Sequence, residues 1–169
     1  ARQSGAYVNN PNSVDLVVSG DSPYWTGDLG EEWSTNIGSD NWRLILGGTV
    51  TDFIPNDNVL FNDTATGTTI VDISVADVDP VSTTFDNTSL NYTLHGSAGI
   101  ATGNLVKTGT GSLTINNANS YAGGSTLGGG TVTLGSSTAL GVGPVTLNTG
   151  TLALNGQSIA NALVLGGGA

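Results

Sequence analysis

GSLTI at residues 111–115 returns as GTVTL at 130–134 and as GTLAL at 150–154. The apolar triplets Tyr92-Thr93-Leu94, Leu113-Thr114-Ile115, Val132-Thr133-Leu134 and Leu152-Ala153-Leu154 are spaced by 21, 19 and 20 between their first members. A second series, Val145-Thr146-Leu147 and Leu163-Val164-Leu165, has a spacing of 18, and Leu105-Val106-Lys107 and Ser125-Thr126-Leu127 stand where its earlier members belong. Tyr121, Leu140 and Ile159 form a third series, spaced by 19 and 19. Each triplet alternates apolar, small and apolar, the period-2 pattern of a strand with one buried face. Gly-Gly, Asn-Ser and Asn-Gly punctuate the intervals as turns do. Helix is disfavoured, because the recurring Gly and β-branched residues would cost it several kcal/mol in propensity.

Three registers that share one period specify an all-β, right-handed parallel β-helix with a period of about 19–20 residues, each turn lying about 4.8 Å above the last. An antiparallel sandwich of hairpins is the alternative; it explains the alternation but does not require a common period. Counting backward, Phe85 precedes Leu105 by 20 and Ile73 precedes Tyr92 by 19. NVLF at 58–61 and TIVDISV at 69–75 supply earlier rungs. The solenoid then has five or six turns and a height of roughly 25 Å. The expected organisation is an N-terminal segment and cap over 1–57, followed by repeats over 58–169 that form one continuous domain with an open or truncated C-terminal end.

Composition narrows the function classes. The 13 acidic residues outnumber 3 basic ones, for a net charge of −10, so nucleic acid and anionic membrane surfaces are repelled rather than attracted. All 13 acids lie between Asp15 and Asp86, and beyond them Lys107 is the single fully charged residue, while 18 of the 26 glycines follow residue 86. Cysteine is absent, which excludes disulfides, thiolate nucleophiles and Cys-based zinc sites. Methionine is absent too, which suggests a processed product or a piece of a longer chain. No apolar run is long enough for a membrane-spanning helix, and no signal peptide is evident. Only 9% of residues are charged, but the aliphatic residues recur in strict pattern, which argues for ordered β-structure rather than disorder.

GNLVKTGTGSLTINNANSYAGGSTLGGGTVTLG, residues 103–135, resembles the autotransporter-associated β-strand repeat of type V secreted bacterial proteins, through Lys107, Gly109, Gly111, Leu113, Tyr121, Gly123 and Gly124 in order. Upstream, YWTGDLGEEWSTNIGSDNW with Trp25, Trp33 and Trp42, then PNDNVLFND and TTFDNTSLNYTLHG, resembles the segment that precedes such repeats, so the similarity spans roughly residues 24–169. RLILGGTVTDFI at 43–54 departs from the pattern. The resemblance implies a secreted, surface-exposed, adhesin-like or stalk-like β-helix of the autotransporter passenger type, with an outer-membrane barrel far beyond residue 169 if the parent is a true autotransporter, and a place among virulence factors.

Candidate chemistry is sparse. His95 is the single histidine, so a multi-histidine metal site is excluded, and no nucleophile-elbow motif accompanies it; a strand-end position is expected. Asp52, Asp57 and Asp63 flank one strand and Asp72, Asp77 and Asp79 another. Aligned turns could gather Asp72, Asp77 and Asp79 around a structural calcium, or set two carboxylates at glycosidase spacing, but solvated turns are the favoured expectation. Residues 108–169 contain no Asp or Glu, which excludes an RTX-type calcium repeat there. The Gly-x-Gly runs at 109–111 and 141–143 open no helix and read as turns. Trp25, Trp33 and Trp42 are candidates for stacking on sugar rings, although a plug over the first rung is favoured, because tryptophan buries a ring while its N–H finds a partner. Asn62, Asn87 and Asn91 begin glycosylation sequons that carry little meaning in a bacterial protein.

The function expected from these features is non-enzymatic: a structural or adhesin-like segment of a secreted or surface-anchored bacterial protein, with no cofactor beyond a possible structural calcium. Its expected partners are a host or surface glycan or protein, or other copies through the solenoid ends, since Leu163 to Leu165 would form an open edge. An extracellular fibre subunit, and a carbohydrate-binding or polysaccharide-active β-helix using the acidic half, are the alternatives.

Overall fold

The computed structural model describes the backbone of residues 3–10 and 13–166 and the side chains of residues 21–166. The chain is an all-β solenoid of about 5 turns. Each full turn contributes one strand to each of two parallel sheets. The first sheet receives β6 (Asn58–Asn62), β8 (Ser82–Asp86), β10 (Leu105–Thr108), β12 (Ser125–Leu127), β14 (Val145–Leu147) and β16 (Leu163–Leu165). The second receives β7 (Ile70–Asp72), β9 (Tyr92–His95), β11 (Ser112–Ile115), β13 (Thr131–Leu134) and β15 (Thr151–Ala153). A third side is held by irregular backbone bonds, such as Ala101 N–H to Val78 O at 2.9 Å, Ser120 N–H to Ile100 O at 3.0 Å and Val142 N–H to Tyr121 O at 2.9 Å.

The three sequence echoes are one interior row. Tyr92, Leu113, Val132 and Leu152 occupy equivalent positions on successive parallel strands. Phe61, Phe85, Lys107, Leu127, Leu147 and Leu165 form a row on the first sheet. Tyr121 and Leu140 are buried at the third side, and Ile159 packs against the same core. Like residues one rung apart meet face to face: the rings of Phe61 and Phe85 stack at 4.5 Å and 11°, close to the spacing of neighbouring strands.

The repeat is not constant. Along the first sheet the ladder joins Asn58 to Ser82, Thr83 to Leu105, Leu105 to Ser125, Ser125 to Val145 and Val145 to Leu163, so the spacing falls from 24 through 22 and 20 to 18. The second sheet shortens from 23 for Ile70 and Thr93 to 19 for Leu113 and Val132 and 20 for Val132 and Leu152. Counting backward at a fixed period therefore misplaces the early rungs. Phe85 lies beside Lys107, not Leu105, and Ile73 does not lie beside Tyr92: Val71 is the partner of Leu94, and Ile73 N–H donates to His95 O at 2.8 Å, past the strand end. Phe85 keeps its inward direction because the slip equals one full strand period. The widest turns bury Phe61, Phe85 and Tyr92 on the two sheets, whereas the later sheet rows carry Leu, Val and Ile, with Tyr121 buried at the third side.

Parallel rungs begin at β6, and the preceding segment covers them. β3 (Pro23–Trp25) lies parallel to β6 through Tyr24 and Leu60. β4 (Trp42–Leu44) then pairs antiparallel to β3, and β5 (Val50–Thr51) antiparallel to β4. The atypical stretch 43–54 thus forms the β4–β5 hairpin, closed by Leu44 N–H to Thr49 O at 2.9 Å. A separate antiparallel hairpin joins β1 (Gln3–Asn10) to β2 (Ser13–Gly20). The side chains of the expected cap before residue 21 lie outside the described residues.

Candidate functional site

The candidate tryptophans lie inside the molecule. Trp25, Trp33 and Trp42 are each 0% exposed. Trp42 meets Trp25 edge-on at 5.1 Å and Phe61 at 5.2 Å, and Trp33 meets Phe53 at 5.6 Å. Their faces are covered by other rings, so none is presented to a sugar. The Trp25 N–H donates to Thr68 O at 2.8 Å. Against the expectation for a cap, the buried N–H groups of Trp33 and Trp42 have no acceptor among the described residues. Ring packing outweighs that cost, which is about 1–3 kcal/mol for an orphaned buried donor.

Several carboxylates tie one segment to another. Asp63 accepts hydrogen bonds from the N–H groups of Leu90 at 2.9 Å, Thr88 at 2.9 Å and Ser89 at 3.0 Å, one turn further along the chain. These three donors hold its pKa below the ordinary value. Burial pushes Asp52 upward, but the N–H groups of Gly38 and Asp40 and the Ser39 hydroxyl outweigh it and keep the group low. Asp28 is lowered by the Thr66 hydroxyl and by Arg43, with which it forms an ion pair at 3.1 Å. Asp57 accepts from Ile54 N–H at 2.9 Å.

Asp72, Asp77 and Asp79 do not converge. Asp72 accepts from the Ser74 hydroxyl and lies 3.7 Å from His95 Nδ1. Asp77 accepts from Gly99 N–H at 2.9 Å. Asp79 lines a shallow groove of about 490 Å³ with Pro55, Asn56, Pro80, Val81, Thr102 and Gly103. Among the described residues no group of three or more His, Asp or Glu side chains could hold a metal ion. His95 closes β9, as expected for a strand-end histidine, and its Nε2 lies 3.4 Å from Glu31 of the covering segment.

Lys107 is the polar residue that sequence reasoning missed. It is 0% exposed in a row otherwise filled by Phe and Leu. Its stem runs through the core, and its ammonium donates to Thr108 O and to Gly109 O, the latter at 3.1 Å, at the turn between β10 and β11. Burial lowers its pKa, opposed by Asp86 and Asp63. Gly130 leaves room for this arrangement. Its φ is +66°, and a Cβ there would lie 2.2 Å from Gly111 O and 3.1 Å from Lys107 Nζ, so a side chain is excluded by both conformation and space. The signal lies in the triplet series, where Lys107 occupies the position that is Leu in Ser125-Thr126-Leu127.

Asparagines fasten the corners in the same way. Asn87 donates to Leu90 O at 2.6 Å and to Ser112 O at 3.1 Å. Asn119 accepts from Ile100 N–H at 2.8 Å and donates to Ala139 O at 2.6 Å, spanning three successive turns. Asn161 donates to Gly141 O and Gly143 O. All three sequon asparagines thus have structural partners; the Asn62 side chain accepts from Thr64 N–H at 3.0 Å and that of Asn91 from Ser112 N–H at 2.8 Å. No known protein family, curated protein or solved structure matches the chain.

Proposed function

We propose that the chain is a non-enzymatic scaffold: a stalk-like or adhesin-like segment of a secreted or surface-anchored bacterial protein. The observation that carries this reading is where the polar groups go. Asp52, Asp63, Asp77, Asn87 and Asn119 each bond backbone of another segment and Lys107 bonds its own turn, so the side chains best suited to chemistry instead hold turns. The result is a rod-like unit stabilised by ladders and apolar rows without disulfides. The resemblance of residues 103–135 to autotransporter-associated repeats supplies the bacterial-surface part of the reading. The sugar-stacking alternative gains no support from three enclosed indoles.

The decisive experiment labels intact cells of the source bacterium with antibody raised against this chain, with and without external protease. Surface labelling that protease removes is the expected result. Labelling only after lysis would overturn the reading, as would turnover of polysaccharide substrates by the purified chain.

A further inference from the structure

The covering segment meets β7 in a short parallel rung. Asp72 N–H donates to Glu31 O at 2.6 Å, Trp33 N–H donates to Asp72 O at 2.9 Å, and Glu32 lies opposite Asp72. Trp33, the last residue of this rung, is fully buried against Phe53 and Trp42. Whatever loosens the rung from β7 therefore opens the edge of the aromatic cluster.

His95 spans this junction from the other side. It is the register partner of Asp72 on β9, one rung further along the solenoid. Its two ring nitrogens face carboxylates on two different elements: Nδ1 lies 3.7 Å from Asp72 Oδ1, and Nε2 lies 3.4 Å from Glu31 Oε2. Asp72 also accepts from the Ser74 hydroxyl, and the neighbouring Glu32 accepts from the Ser34 hydroxyl and the Asn36 amide. On the far side of His95 the next rung brings the uncharged Asn116, whose N–H donates to Leu94 O at 2.9 Å. Neither base among the described residues neutralises the pair of acids, since Arg43 is paired with Asp28 and Lys107 is buried in its own turn. Gly96 follows His95 with a φ of +128°, and a Cβ there would lie 2.7 Å from Asp72 Oδ1, so the glycine lets the carboxylate sit beside the ring.

Imidazole makes this arrangement depend on a proton. The neutral ring has one N–H for two carboxylates and turns a lone pair toward the other. Its Nε2 is buried and has no hydrogen-bond partner among the described residues. The protonated ring carries a donor on each nitrogen and places a positive charge between two negative ones.

We propose that His95 is a proton-operated clasp: its protonated ring holds the covering segment to the solenoid through Glu31 and Asp72, and its deprotonation loosens Glu31–Trp33 from β7. Carboxylates are ionised across the range in which imidazole titrates, about pH 5–8. The clasp is therefore complete at the acid end of that range and lost toward the alkaline end. His95 is the single histidine of the chain, so the effect has one side chain to which it can be assigned.

Amide hydrogen exchange of the full chain at about pH 5.5 and about pH 8 tests this, with each rate compared with that of an unstructured peptide at the same pH. Protection at Trp33 should be about two- to fivefold higher at the acid pH, the range of a partly exposed ion pair. Gly135, whose N–H donates to Ile115 O in mid-solenoid, should show no such change. His95→Gln should leave Trp33 at the alkaline level at both pH values, and His95→Lys, charged at both, should keep it at the acid level. Glu31→Gln, which leaves the ring in place, should shrink the difference. Equal protection of Trp33 at the two pH values in the parent, a change of the same size at Gly135, or a difference that survives His95→Gln would overturn the clasp.

Discussion

The turns before Lys107 and those after it solve one packing problem with different materials. The early turns are the long ones, with ladder spacings of 24 and 22 along the first sheet, and their sheet rows bury Phe61, Phe85 and Tyr92 beneath the tryptophans of the covering segment. The later ones, with spacings of 20 and then 18, fill the sheet rows with Leu, Val and Ile and keep one buried ring, Tyr121, at the third side. Backbone ladders fix the rise per turn, so interior side chains stack on their equivalents one rung away. The early turns also carry nearly all the charge, used there to cap turns, whereas the later turns rely on Asn, Thr and Gly. A solenoid can thus change both its filling and its loop lengths along the chain while keeping its rows in register.

The sharpest way to break the comparison is to empty the aromatic end. Trp42→Ala removes the ring that touches Trp25, Trp33, Phe53 and Phe61, and a loss of about 3–5 kcal/mol is expected in urea unfolding. Within a single interior row, Leu113→Ala at a fully buried position should cost about 2–4 kcal/mol. Leu152→Ala, at a half-buried position two rungs on, should cost less than half as much; equal losses would mean that Leu152 is covered in solution.

Lys107, at the junction of the two regions, should respond in a graded way. Lys107→Ala is expected to cost about 2–3 kcal/mol, from the interior void and the unbonded turn carbonyls. Lys107→Met restores the volume but not the hydrogen bonds and should lie between alanine and the parent. The smallest effect is expected in acid. The depressed pKa of Asp63 contributes stability that is fully present above the ordinary carboxylate value and lost as pH falls through the lower folded value. Asp63→Asn should therefore lower Tm at neutral pH, and its deficit against the parent should shrink as pH drops through that window; a deficit independent of pH would remove the charge from the explanation.

How much of this was legible in the sequence follows from what each residue reports. Alternation and period identified the interior rows through Leu113, Val132 and Leu152, because a parallel stack places equivalent residues at equivalent chain intervals. The early rungs were misaligned, because their turns are longer, and nothing local in Phe85 or Ile73 reports the perimeter of a coil. Trp25, Trp33 and Trp42 could be read as cap or as binding surface from sequence alone, since burial depends on what folds over them. Lys107 escaped notice because charge usually marks the surface. The scattered roles of Asp72, Asp77 and Asp79 depend on side-chain direction at turns, where period-2 reasoning no longer applies.

The central claim is that Leu113, Val132 and Leu152 stack on parallel strands. Nuclear Overhauser contacts in the folded chain test it most directly. The account predicts contacts between Leu113 and Val132 and between Val132 and Leu152, together with Ser112 to Thr131 and Thr114 to Thr133 running in the same direction. Contacts running in opposite directions along these strands, as in a sandwich of hairpins, would contradict it.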